Sequence, residues 1–253
     1  MGVDGRNMVK KCGFTFRTLI FLHQVSHGLI LWSVLIPYHY GKGSLGEWVS
    51  SALVIVLTPM LVITHCITSS TRSVTFNRQR DKQFLNKREG AKYHTCEKCI
   101  EGQWKPFRSK HCSTQGQDVT RFDHFCPVTL NTIGYRNHAI FIKTAYLHMI
   151  MSAFWLYHFV GYLINHLAVP KAYSSTTDFV FVMVVCMLDT LFVVMICCMS
   201  IGISLSHTWF AVINSTTIEQ IANNRSSMLN RDFGSFHLGY LFNIQAYFPR
   251  PLY

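Results

Sequence analysis

Four apolar stretches, each about as long as the hydrocarbon core of a bilayer is thick, constrain this chain more than any other feature. They fall near residues 14–38, 48–68, 138–169 and from 179 past 199. A helix needs about 20 apolar residues to cross a membrane, so each stretch is a candidate span. Composition agrees: 49% of the 253 residues are hydrophobic and only 14% charged, which argues against a soluble globular domain. The first stretch is interrupted by Arg17, His23, Gln24 and His27. It is also too long and polar for a cleaved signal peptide.

Charge placement orients the spans. Residues 69–137 carry 13 of the 23 Lys and Arg, whereas the two short connections carry only Lys42 and Lys171. The leader adds Arg6, Lys10 and Lys11. The positive-inside rule then places both termini and the 69–137 segment in the cytosol. The expected organisation is a cytosolic N-terminus (1–13), two spans (14–68), a cytosolic connector with a Cys-rich domain (69–137), two spans (138–213) and a cytosolic tail (214–253). Basic flanks facing anionic lipid account for the net charge of +11, and no nucleic-acid partner is expected. The opening MGVDGR has Gly2 but no Ser or Thr at position 6, so it does not match the myristoylation pattern.

Five of the nine Cys, at 12, 66, 186, 197 and 198, lie in or beside apolar stretches and read as small buried hydrophobes, with acyl modification as the alternative for Cys12. Cys96, Cys99, Cys112 and Cys126 fall in the basic segment. A reducing compartment turns such residues toward metal binding or catalysis rather than disulfides. Cys96-x-x-Cys99 has zinc-knuckle spacing, and His111 and Cys112 stand where the rest of a tetrahedral site could come from. The fourth ligand stays open at this level. Within RFDHFCPV, Asp123, His124 and Cys126 form a compact polar group. A free thiol has a pKa of about 8.5, so a nucleophilic Cys needs a base, and the base needs an orienting carboxylate. The bland alternative is an inert packed Cys126 with Asp123 capping a turn.

CEKC, KPFRSKHC, DHFCP and NTIGYRN occur in an order and spacing that resemble the DHHC protein S-acyltransferases, the palmitoyltransferases. The likeness extends to TTIE (Thr216–Glu219) after the fourth span and to Gly239-x3-Asn243 with Phe248 near the end. It implies an all-α integral membrane protein with four transmembrane helices and a small cytosolic zinc-binding Cys-rich domain between helices 2 and 3. It implies Cys126 as nucleophile, His124 as general base and Asp123 as the orienting carboxylate. Acyl-CoA is the implied acyl donor, and Cys side chains of cytosol-facing or membrane-associated proteins are the acceptors. Thr217 would steady Asp123 and Asn243 would tie the tail to the core. Lys105, Arg108, Lys110 and Arg121 are candidates for the CoA phosphates, with lipid-facing charge as their alternative reading. Residence in the endoplasmic reticulum or Golgi is expected.

Departures from the family pattern cluster. Carried over position by position, the first zinc site is Cys96, Cys99, His111 and Asp118, with a carboxylate where a Cys is usual. The second is Cys112, Gln115, Phe125 and Thr132, which keeps one ligand, so a single zinc ion is expected and the second site is expected empty. Val128 replaces the usual Trp beside the nucleophile. These losses suggest a rival class, a weakened membrane scaffold that binds acyl-CoA or a client without turnover. A zinc-bearing adaptor without lipid chemistry is a third. Asp189, in the fourth span, is expected to hydrogen-bond a His of the third. His148, His158 and His166 are expected to be structural, and VMICCMS to be apolar surface.

Overall fold

The computed structural model describes residues 5–73, 94–95, 104–105, 108–168, 176–227 and 240–247. Helix α1 (Gly5–Ile30) runs through a π-helical turn (Leu31–Leu35) into α2 (Ile36–Tyr40). Long helices follow as α3 (Leu45–Ser70), α4 (His138–Ala168) and α5 (Thr176–Val212), then the short α6 (Thr217–Ser227) and α7 (Tyr240–Tyr247). Among the described residues, four helical stretches are long and apolar enough to cross a membrane: Thr18–Leu35, Leu45–Ser70, His138–Asn165 and Met183–Val212. The chain is therefore a mostly helical, multi-pass membrane protein.

Between α3 and α4 the segment is not helical. It forms antiparallel hairpins: β1 (His94–Thr95) with β2 (Trp104–Lys105), β3 (Lys110–Cys112) with β4 (Gln117–Val119), and β5 (His124–Cys126) with β6 (Asn131–Ile133). Such short strands cannot bury a core of their own, which suits a domain stapled by side-chain ligands and hydrogen bonds.

The chain divides into two compact units. Residues 18–65 and 143–204 form one, cored by Leu31, Leu35, Val54, Leu61, Met151, Trp155, Phe159, Tyr162, Cys186 and Val193. Its outward residues include Ile55, Val56, Leu188 and Leu191, all more than half exposed. A soluble protein would not show so large an apolar surface; a bilayer solvates it. Gly161 makes close packing possible here, because a Cβ at that position would run into the His39 ring.

Polar side chains in this unit pair with one another. Asp189 bonds to His27 of α1, Nδ1 to Oδ2 at 3.2 Å, which corrects the expected partner on the third span. Both residues point inward on faces that periodicity alone could not match. His148 pairs with Gln24 at 3.4 Å and His158 with His39 at 3.0 Å. The His166 side chain lies outside the described residues. Cys198 is exposed and Cys197 half-buried within the apolar helix.

The other unit comprises residues 1–17, 66–142 and 205–253. It contains the hairpins, α6 and α7.

Candidate active site

The β5–β6 hairpin sets the site. Its register pairs His124 with Ile133, Phe125 with Thr132 and Cys126 with Asn131. Side chains alternate along a strand, so His124 and Cys126 share one face while Phe125 points to the other. Phe125 thus lies on the side of Thr132, away from the acid–base group. A turn of four residues, Pro127–Leu130, closes the hairpin, with Leu130 in the left-handed region at φ 49°.

Two asparagines fasten this hairpin to the end of α3. Asn131 Nδ2 donates to the carbonyls of Thr68 (2.9 Å) and Thr71 (2.8 Å). Asn137 Nδ2 donates to Thr71 O and Thr132 O, and its Oδ1 accepts from Ser73 Oγ and the Gly134 amide. The helix end thereby gains partners for carbonyls it cannot satisfy itself. Gly134 is required by close approach: a Cβ there would meet Val119 Cγ1 at 2.8 Å and the Thr120 carbonyl at 3.0 Å. Asn137 is fully buried, so Asn137→Ala strands several polar groups. A loss of about 2–4 kcal/mol is expected, readable as a lower thermal midpoint of the full-length protein in micelles.

Asp123 is fully buried, and its Oδ2 lies 2.6 Å from His124 Nδ1. That short contact commits Nδ1, so Nε2 is the ring nitrogen left for proton transfer. The other Asp123 partners come from the start of α6. The Thr217 amide donates to Oδ1 at 2.7 Å, and the Thr217 hydroxyl donates to Oδ2 at 2.9 Å. An amide at a helix N-terminus is a ready donor for a carboxylate. TTIE is a capping box: the Thr216 amide donates to Glu219 Oε2 at 2.9 Å, while the Glu219 amide reaches Thr216 Oγ1 at 3.4 Å. Glu219 in turn holds Arg108 through two charge-assisted bonds, at 2.6 and 2.8 Å.

The electrostatics favour an ion pair. Burial pushes the Asp123 carboxyl up, but the His124 hydrogen bond and the neighbouring imidazoles outweigh it, leaving Asp123 below the usual carboxylate range. Burial pulls His124 down, yet the hydrogen bond to Asp123 and the neighbouring Cys126 raise it to about 9. Burial raises the Cys126 thiol, but the neighbouring His124 and Thr129 more than offset it, so the thiol is lowered. Cys126 is therefore predisposed to be a thiolate beside an imidazolium.

Sequence reading missed two residues of this group. His207 Nδ1 lies 3.9 Å from Asp123 Oδ2 and 2.9 Å from His138 Nε2. Phe141 packs edge-on against the His124 ring, centroids 5.3 Å apart. A signal for His207 was present. Ser200, Ser204 and His207 recur at helical spacing and are buried, whereas Ile201, Leu205 and Trp209 of the same helix are exposed.

Of the expected zinc ligands, His111 and Asp118 face each other across β3–β4, Nδ1 to Oδ1 at 3.4 Å. Two ligands about 2.0 Å from a tetrahedral zinc stand about 3.3 Å apart, so this pair fits half of such a site. Cys96 and Cys99 lie outside the described residues. At the degenerate site, Thr132 Oγ1 lies 3.4 Å from Cys112 Sγ and donates to Gln115 Oε1, and Gln115 Nε2 donates to Asn131 Oδ1 at 3.1 Å. Side-chain hydrogen bonds thus link three residues where ligands would otherwise converge.

Of the four candidate cations for the CoA phosphates, Arg108 and Arg121 have protein partners. Besides Glu219, Arg108 binds Asn214 through Oδ1 and the carbonyl, at 3.1 and 2.9 Å. Arg121 is buried and donates to Asn214 Oδ1 at 2.8 Å. Asn214, left-handed at φ 53°, ends the α5 helix, a place where Asn is tolerated. Lys110 is exposed, and the Lys105 side chain lies outside the described residues. Asn243, fully buried, donates to the carbonyl of Val212 at the end of α5, at 2.6 Å.

Residues 89–224 match the family model of the DHHC palmitoyltransferase. The chain belongs to the DHHC palmitoyltransferase family. Palmitoyltransferase akr1 of Schizosaccharomyces pombe is 29% identical over 155 residues, covering 60% of this chain and 23% of that relative. Palmitoyltransferase Hip14 of Drosophila melanogaster is 44% identical over 61 residues, 24% of this chain and 10% of the relative. Palmitoyltransferase PFA3 of Yarrowia lipolytica is 29% identical over 128 residues, 49% of this chain and 31% of the relative. The chain spans less than a third of the length of these relatives.

Proposed function

We propose that this chain is a protein S-acyltransferase that moves a long acyl group, with palmitoyl as first choice, from acyl-CoA to Cys thiols of substrate proteins. The observation that carries the reading is the buried carboxylate 2.6 Å from His124, with Cys126 on the same strand face. In the first step the Cys126 thiolate attacks the thioester carbonyl carbon. The bond to the CoA sulfur breaks, and His124 donates its Nε2 proton to the departing CoA thiolate. In the second step a client thiol gives its proton to His124 and attacks the acyl-Cys126 carbonyl. Cys126 leaves as a thiolate, and the imidazolium is restored. Asp123 and Thr217 act only as positioning groups. The acyl chain enters the apolar phase, gaining about 0.8 kcal/mol per buried CH₂.

Zinc, when bound by Cys96, Cys99, His111 and Asp118, supplies structural bracing of the hairpins. The Cys112–Gln115–Thr132 hydrogen bonds support the reading that the second family site takes no metal. Zinc content is therefore expected to fall by about one ion per chain in Cys96→Ser and to be unchanged in Cys112→Ser. Equal losses in both variants would refute the one-ion reading. Lys110 and Lys105 are the CoA-phosphate candidates, because Arg108 and Arg121 already serve Glu219 and Asn214. The Cys-rich segment and both termini are placed on the cytosolic face of endoplasmic reticulum or Golgi membranes, with the domain boundaries given above.

The direct test is incubation of the purified chain with a clickable acyl-CoA. A label released by neutral hydroxylamine and mapped to the Cys126 peptide is expected. Label on a different Cys, or none, would defeat the proposal.

A further inference from the structure

We propose that His23, His27 and Asp189 form a binding site for a divalent first-row transition cation within the membrane-spanning unit. None of the three is among the acyl-transfer residues Asp123, His124 and Cys126. His23 and His27 are four apart on α1, so their rings lie one turn apart on a single face. Asp189 of α5 meets both. Its Oδ2 lies 3.2 Å from His27 Nδ1, and its Oδ1 lies 3.9 Å from His23 Nδ1. All three ligand atoms fall within 4.8 Å of one another. Ligands held about 2.0–2.1 Å from a tetrahedral ion stand about 3.3 Å apart, so small torsional adjustments close the set around a cation.

The surroundings fix this geometry. The His27 ring stacks on the fully buried Trp155, centroids 4.0 Å apart at 23°. The His23 ring meets Phe192 edge-on at 4.6 Å and 84°. Rings held in this way retain their orientation when the His27 hydrogen bond to Asp189 is exchanged for a metal. Gln24, next to His23, pairs with His148, and the His148 ring lies 6.1 Å from that of His65. The ligand set is therefore embedded in a larger polar group.

A carboxylate within a spanning helix is costly unless it is paired, and a bound cation supplies that pairing. A dication held by one carboxylate and two imidazoles still carries a net positive charge, which an anion at the open position neutralises. Two nitrogens and one oxygen suit zinc or iron(II); magnesium and calcium prefer all-oxygen sites. Three protein ligands leave one coordination position open.

The test compares the metal content of the full-length wild type, Asp189→Asn and His23→Gln, purified in micelles without chelator. Elemental analysis separates zinc from iron. Asp189→Asn retains the shape and a hydrogen bond to His27. His23→Gln leaves the His27–Asp189 contact intact, so a folding failure of the first variant leaves the second informative. Each variant is expected to carry about one ion per chain fewer than wild type. The Cys-rich zinc, read from the thiolate charge-transfer band of cobalt-substituted protein, is expected to be unchanged, as is acyl labelling of Cys126. Equal metal content in all three proteins would overturn the proposal and leave the cluster as a hydrogen-bonded polar knot. Loss of the thiolate band alone would overturn it as well.

Discussion

Cys126→Ser is expected to leave no hydroxylamine-sensitive acyl label on the chain, a fall of roughly three orders of magnitude or more in acyl-enzyme formation. The reason is chemical rather than structural. Ser is close in size to Cys, so the β5–β6 register, the turn and the Asp123–His124 contact are all expected to persist. What is lost is a sulfur that the neighbouring His124 and Thr129 bias toward the thiolate. A hydroxyl has no accessible anion at neutral pH, and an ester would resist neutral hydroxylamine. The variant is expected to keep its metal content and thermal midpoint. A label of wild-type intensity on Cys126→Ser would end the acyl-enzyme mechanism.

Asp123→Asn is expected to slow acyl-enzyme formation at neutral pH by roughly 10³–10⁴-fold, by analogy with triads that lose their carboxylate. The amide can still accept from the Thr217 amide through its oxygen, but its NH₂ then faces His124. It donates to Nδ1, and this moves the imidazole proton to Nε2, where a base is needed. Without the carboxylate His124 falls from about 9 toward or below its ordinary 6.5, and Cys126 loses the imidazolium that favours its thiolate. The pH profile separates this from simple unfolding. Wild-type labelling is expected to rise with an apparent pKa below that of a free thiol, whereas the variant profile moves to higher pH. Identical profiles would remove Asp123 from the mechanism.

The same couplings predict a pH dependence of stability. His124 has its folded pKa raised from 6.5 to about 9. Its stabilisation is therefore complete below pH 6.5 and is lost as pH rises toward 9. Asp123 is depressed from 3.8, so its contribution is present above that value and is lost on acidification. Cys126, whose thiol is lowered, gains stability over the same alkaline range and offsets the His124 loss, so thermal midpoints are expected to change little up to pH 9 and to fall on acidification as Asp123 is protonated. Asp123→Asn is expected to flatten the acid decline.

Much of this protein is local in origin. Apolar runs specify spanning helices because no other backbone arrangement satisfies its hydrogen bonds in lipid. Thr-x-x-Glu at 216–219 specifies a capped helix start through contacts three residues apart. These features act over one span or one helical turn, and the sequence by itself determined them.

Long-range pairing was different. His207 reaches Asp123 from 84 positions away, counting along the chain, and Asp189 meets His27 across 162. Their side chains have the same intrinsic properties wherever they sit, and helical periodicity says which face is buried but not what it faces. Arg108 and Arg121 illustrate the point, because only the folded chain brings Glu219 and Asn214 to them. Only the tertiary structure decided these partners, since burial makes a buried charge depend on whichever group happens to be within hydrogen-bond reach.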